Sequence, residues 1–221
     1  MVYEKALITF LLLVTFNAYA QIDTPEIFVD FGLYYEDEFE PKPKIYVGAS
    51  AGIELFSYKF IAPEIKLSYF AGSDLDEFYN LDISTGLSNG WFLNRSMKSS
   101  VLTFSPKLVY GNKEFRLVVI PEYNIANIKA KGVFSEIEKN AITKLAEVKD
   151  YYWSASIGIE GYGWSESTRI GFYINYSALD AGKALNQLDF EAQGFSKPNY
   201  NTKTLGATLR LLYHFKTGRK K

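Results

Sequence analysis

The sequence predicts an all-β fold, an eight-stranded antiparallel up-and-down transmembrane β-barrel, with ten strands as the alternative count. Three observations predict it. Eight stretches alternate apolar and polar residues, and every charge within them falls on the same one of the two faces. Successive strand residues point to opposite sides, so the sheet is apolar on one face and ionic on the other. A soluble barrel is dry inside and wet outside; apolar-out and charged-in is the pattern of a barrel in lipid. The connections between the stretches alternate in length, as the short turns and long loops of such barrels do. A secretory signal precedes the first stretch.

Taken in order, residues 1–20 read as that signal. Lys5 lies in a short leading region, Ala6 to Phe16 is an almost unbroken apolar run, and Ala18-Tyr19-Ala20 has the small-x-small cleavage form, so the mature chain begins at Gln21. No later stretch approaches the ~20 apolar residues of a spanning helix. Strands are expected at about 26–35, 44–56, 60–71, 99–110, 114–125, 151–162, 168–178 and 204–215. At roughly 3.3 Å per residue and a tilt near 45°, ~11 residues cover the ~25 Å apolar band. Residues 57–59, 111–113 and 163–167 are tight turns, whereas 72–98, 126–150 and 179–203 are long and 36–43 is intermediate. With an even strand count, both termini lie at the short-turn, periplasmic side and the loops near 36–43, 72–98, 126–150 and 179–203 are external.

Three segments complicate this scheme. Pro63, Pro106 and Pro121 fall inside expected strands, and a closed barrel has no free edge for a residue lacking N–H, so each calls for a bulge, a frayed rim or a register slip. Residues 81–93 are strand-like and either extend a hairpin above the membrane or add two strands to the barrel. Within 126–150, Ser135-Glu136-Ile137-Glu138 has capping-box form, and Ile137, Ala141, Ile142, Leu145 and Val148 recur at helical spacing, which predicts a short amphipathic helix over about 135–149.

Inward positions carry the acids Asp30, Glu54, Glu64, Glu122 and Glu160 and the bases Lys66, Lys107, Arg116, Arg169 and Arg210, five of each. Eight strands enclose a lumen only wide enough for side chains, and buried charges need partners. The balance predicts an ion-paired plug; a selective channel lined by the same charges is the functional alternative. Tyr35, Tyr69, Tyr110, Tyr123, Tyr151, Trp153, Tyr176, Tyr213 and Phe215 fall outward, many near strand ends, where amphipathic rings favour the headgroup zone.

The remaining chemistry is sparse. With no cysteine, disulfides, thiol catalysis and zinc–thiolate sites are excluded together. A formal net charge of −1 gives no steering toward nucleic acid. The single histidine, His214, reads as a lumen hydrogen-bonding residue rather than a catalytic base. Asp74, Asp76 and Glu77, like Glu36, Asp37, Glu38 and Glu40, are acidic loop clusters without calcium-loop spacing and read as solvated faces. The tail Arg219-Lys220-Lys221 reads as solvated too. No catalytic, cofactor-binding or metal site is expected.

The signal, the eight strands, the polar lumen and the last strand, Leu205-Gly206-Ala207-Thr208-Leu209-Arg210-Leu211-Leu212-Tyr213-His214-Phe215, together resemble the small outer-membrane β-barrels of the OmpA/OmpX type. The resemblance is architectural and covers about residues 26–215. The alternating final strand ending in Phe215 looks like the signal by which such proteins are recognised for insertion, although Lys216-Thr217-Gly218-Arg219-Lys220-Lys221 follows it here. The resemblance implies the outer membrane of a Gram-negative-type bacterium and outer-membrane lipid as surroundings. Members of the class serve as anchors, adhesins, lipid-modifying enzymes or subunits of larger machines, so the role does not follow from the fold. The expected function is a non-enzymatic barrel with a plugged ionic lumen, a structural or accessory subunit engaging other outer-membrane or envelope proteins. A narrow channel for ions or small solutes and a lipid-modifying barrel enzyme are the alternatives.

Overall fold

Alternation in the sequence becomes alternation around a wall. A computed structural model describes residues 25–36, 45–82, 87–112, 114–136, 140–195 and 203–215. Its strands are β1 (Glu26–Glu36), β2 (Ile45–Glu54), β3 (Ile61–Asp82), β4 (Leu87–Gly111), β5 (Phe115–Glu136), β6 (Ile142–Tyr162), β7 (Thr168–Ser177) and β8 (Thr204–His214). They close in sequence order, with β8 pairing antiparallel to β1. The count is eight, and the alternative of ten does not hold. The expected signal at 1–20, the loop at 36–43 beyond Glu36 and the tail after Phe215 lie outside the described residues.

Around the ring from β1 to β8 the outward positions of the barrel wall are mostly apolar and exposed, among them Phe31, Leu67, Ile157, Phe172, Ile174 and Leu209, whereas inward neighbours such as Asp30, Lys107 and Arg210 are buried. Such a wall has no stable place in water and matches the hydrocarbon of a bilayer. Among the described residues no helix is long and apolar enough to cross a membrane; a barrel crosses with its strands. Tyr110, Tyr151 and Trp153 are among the more exposed of the outward rings, and Tyr123 lies 5.1 Å from Trp153, centroid to centroid.

Strands β3 to β6 run far past the lengths expected. Pairing of β2 with β3 stops at Gly72 and pairing of β6 with β7 begins at Ser154, yet β3, β4, β5 and β6 stay paired with one another well beyond these points. Of residues 81–93, the described 81–82 and 87–93 therefore continue the paired strands β3 and β4 and add no strand to the barrel, while 83–86 lie outside the described residues. The segments 72–98 and 126–150 are mostly strand, forming a four-stranded sheet that projects from one end of the barrel.

The helix expected over about 135–149 is not there among the described residues, which leave out 137–139. Residues 142–150 form the start of β6, paired with 126–134 of β5, and Lys144, Ala146, Val148 and Asp150 face the concave side. Leu145 is 74% exposed, so the spacing that suggested an apolar helical stripe splits between two faces of a strand. A single-turn helix, α1 (Gly182–Leu185), and a 3-10 turn at Glu191–Gln193 occur instead in the β7–β8 connection.

The prolines do not shift the register. Pro63 faces Pro106, and its partner position on β2, Leu55, lies one residue beyond the end of that strand, so Pro63 sits at a rim. Pro106 and Pro121 oppose each other across β4 and β5. The ladder lapses between Phe104↔Tyr123 and Leu108↔Val119 and resumes in the same register. Val109 donates to Phe60 on the β3 side, so alternation turns the Pro106 nitrogen toward β5. Two residues without N–H thus meet where two bonds are normally exchanged. At the tight β4–β5 turn, Gly111 has φ 134°, a value that side chains disfavour.

Candidate functional site

Parity places all ten lumen residues expected from the sequence on the inner face, and the closed ring brings them together. Nearest the tight-turn end, Arg169 on β7 donates to Glu26 on β1 at 2.8 Å, and His214 Nδ1 lies 3.3 Å from the same Glu26. Above them, Lys107 on β4 reaches Glu54 on β2 at 2.9 Å, Glu64 on β3 at 3.2 Å and Glu160 on β6 at 2.5 Å. Arg210 on β8 binds Asp30 through Nε at 2.6 Å and Nη2 at 3.0 Å, and Glu64 through Nη1 at 2.7 Å. Its guanidinium carbon lies 3.9 Å from the Phe28 ring centre and 4.9 Å from that of Tyr173, so two aromatic faces clamp it. The Tyr173 hydroxyl donates to Glu160. Arg116 is the outlier, with its Nη1 3.8 Å from Glu160. At that distance its Nη1 and the Glu160 Oε2 form an ion pair without a hydrogen bond, and the Arg169 Nε is likewise buried without a hydrogen-bond partner.

Glu26 breaks the five-and-five balance as a sixth acid. It is the first residue of the 26–35 stretch and shares the parity of Asp30, which is the signal that identifies it as inward.

A second layer is built from one ion pair set among neutral hydrogen-bonding side chains. Lys66 pairs with Glu122 at 2.6 Å, and the Ser154 hydroxyl donates to the same carboxylate at 2.7 Å. Asn124 donates to Ser154 and accepts from Thr103, while Ser156, Asn175 and Thr208 form a parallel chain. Between these groups is a cavity of about 30 Å³, lined by residues that include Asp30, Tyr34, Lys66, Glu122, Asn124 and Arg210. That is room for one or two waters held by polar walls.

Above this layer the interior turns apolar. Leu179, Leu185, Leu188 and Phe190 from the β7–β8 connection pack against Leu93, Met97, Ile128 and Phe134 of the extended sheet. Gly132 makes room: a Cβ there would lie 2.5 Å from the Phe190 ring. Lys183 Nζ reaches Asp150 at 2.5 Å, and Lys144 donates to the Asp189 carbonyl and lies over the Phe190 ring. This cap was not foreseen from the sequence, where 179–203 has neither strand alternation nor helical spacing.

The acidic cluster expected to be solvated divides in the fold. Asp76 binds the buried Arg95 at 2.9 Å, while Glu77 points to the convex side. No group of three potential metal-ligating side chains occurs among the described residues.

No known protein family and no curated relative matches the sequence. Among solved structures, the chain is similar to Neisserial surface protein A, at TM-score 0.45 and 8% identity over 88% of this chain and 99% of that one. It is also similar to the attachment invasion locus protein Ail of Yersinia pestis, at TM-score 0.42 and 9% identity over 87% and 99% of the two chains. A third similarity is to the N-terminal β-barrel domain of Pseudomonas aeruginosa OprF, at TM-score 0.38 and 12% identity over 88% and 100%.

Proposed function

We propose that this protein is a non-enzymatic outer-membrane barrel with a closed lumen, whose sheet projecting beyond the membrane docks a partner protein of the cell envelope. Three stacked fillings support closure: the Lys107 and Arg210 network, the hydrogen-bonded layer around Glu122, and the apolar cap. Within the polar layer the cavity of about 30 Å³ has room for one or two waters, too little for a hydrated ion. With the interior filled, the surfaces available for function are the wall and the projecting sheet.

The observation that carries partner docking is the pair of strand edges on that sheet. Among the described residues, β3 above Gly72 and β6 before Trp153 each have a strand neighbour on one side only. Ala178 donates to the Trp153 carbonyl on the β7 side, so alternation turns the backbone groups of Thr143, Leu145, Glu147 and Lys149 outward, away from β5. A row of unpaired N–H and C=O groups is a template for strand addition.

Extraction in mild detergent followed by native-gel analysis tests this reading. We expect a species larger than the monomer, lost in Leu145→Pro, which removes an outward N–H without touching a β5 bond. A monomer alone, or a complex indifferent to Leu145→Pro, contradicts strand-edge docking.

A further inference from the structure

The outer face of the projecting sheet carries a second feature, independent of its edges. Lys98 on β4 and Lys129 on β5 are direct cross-strand partners on the convex side. Lys131 follows Lys129 one outward position further along β5, and Lys149 on β6 faces Asn127, the outward position just below Lys129. Four ammonium groups thus occupy three adjacent strands within two or three rows. Like charges directly opposed on one sheet face repel.

One carboxylate lies among them. Glu147 is 3.6 Å from Lys129 and accepts a 2.8 Å bond from the Asn127 amide. That bond, with Lys129 and Lys149 alongside, holds its carboxyl below the usual carboxylate range. Glu147 is therefore anionic and offsets one of the four positive charges, leaving a net excess of three.

The level of the cluster identifies its counter-ion. One outward position below Asn127 and Lys149 is the row Leu102, Ile125 and Tyr151, and below that Phe104, Tyr123 and Trp153. These apolar and aromatic rows mark the hydrocarbon edge and the interfacial belt. Alternate residues on a strand are ~7 Å apart, which sets the lysines at headgroup height. Outward positions of β1, β2, β7 and β8 carry no cation among the described residues, so the charge belongs to one sector of the wall.

We infer that Lys98, Lys129, Lys131 and Lys149 form a binding site for the phosphate groups of an anionic lipid headgroup in the adjacent leaflet, with Tyr151 and Trp153 against the upper part of its acyl chains. Two or more phosphates on one headgroup match the lysine spread better than one. The site rests on the membrane reading of the barrel, and folding into zwitterionic vesicles checks that reading separately.

The test folds the full mature chain into phosphatidylcholine vesicles doped with either phosphatidylglycerol or a diphosphorylated glucosamine lipid. Lipid retained after mild-detergent extraction is measured by native mass spectrometry. The wild type retains the diphosphorylated lipid in preference to both others. Replacing Lys98, Lys129 and Lys149 by Gln together lowers retention on the order of a hundredfold, about fivefold per lysine. The same three changed to Arg keep it, and Lys59→Gln, in the β2–β3 turn at the far end, leaves it unchanged. Equal retention by wild type and the Gln variant overturns the site. A soluble sulfated oligosaccharide that binds the same lysines and displaces the lipid overturns the lipid assignment in favour of a glycan.

Discussion

Arg210 and Asp30 are register partners on β8 and β1, and their side chains meet through two hydrogen bonds of 2.6 and 3.0 Å at the seam where the last strand closes on the first. The pair closes the ring from inside while the outward neighbours Phe31 and Leu209 face lipid. Arg210 also binds Glu64 across the lumen, so one guanidinium ties three strands.

Removing it leaves two buried carboxylates short of a partner. Arg210→Met should destabilise the barrel by about 3–5 kcal/mol, the cost of breaking a buried pair from one side. Adding Asp30→Asn to Arg210→Met should return part of that loss, because the residues share a network and their effects do not add. Urea titration of vesicle-folded protein measures both variants. A loss under 1 kcal/mol in Arg210→Met would mean the lumen charges are solvated.

The wall is tested from the other face. Leu209 is 56% exposed and central in β8, so Leu209→Arg places a cation near the bilayer midplane. The expected cost is ~2–4 kcal/mol in vesicle folding. Unimpaired folding of this variant would mean that the outward face does not meet hydrocarbon.

The facing prolines predict a stabilising change. Pro106→Val supplies an N–H directed at Pro121, on an outward position that welcomes an apolar side chain. The bond is worth about 1 kcal/mol, and an unmet backbone group toward hydrocarbon costs several. Both exceed or equal the ~0.4–1 kcal/mol that proline saves in the unfolded chain. Pro106→Val should therefore raise the urea midpoint; a lowered midpoint would show that the Pro121 carbonyl already has a donor.

The barrel was legible in the sequence because lipid imposes a strict two-residue period. Asp30, Glu64, Lys107 and Arg210 could be placed inward from parity alone, and the wall around them follows. Legibility ended where the lipid ends. Past Gly72 and Tyr151 the outer face mixes polar residues such as Ser96, Lys98, Asn127 and Lys129 with apolar ones such as Leu75, Phe92 and Leu145, so pairing continues without the strict alternation that revealed it. In the same region Ile142, Leu145 and Val148 simulate a helical stripe, and only cross-strand pairing with β5 decides for a strand. The cap formed by Leu185, Leu188 and Phe190 is a tertiary fit to Gly132 and Met97, with no local pattern to announce it. Glu26 required only that parity be followed to the first residue of its strand.

Closure of the lumen is most directly tested by current recording on the purified, folded protein in a planar bilayer. With the Lys107 and Arg210 network and the apolar cap in place, the membrane should stay at baseline conductance across the voltage range. Ohmic, stepwise openings that scale with the amount of folded protein would contradict a closed barrel and establish a channel.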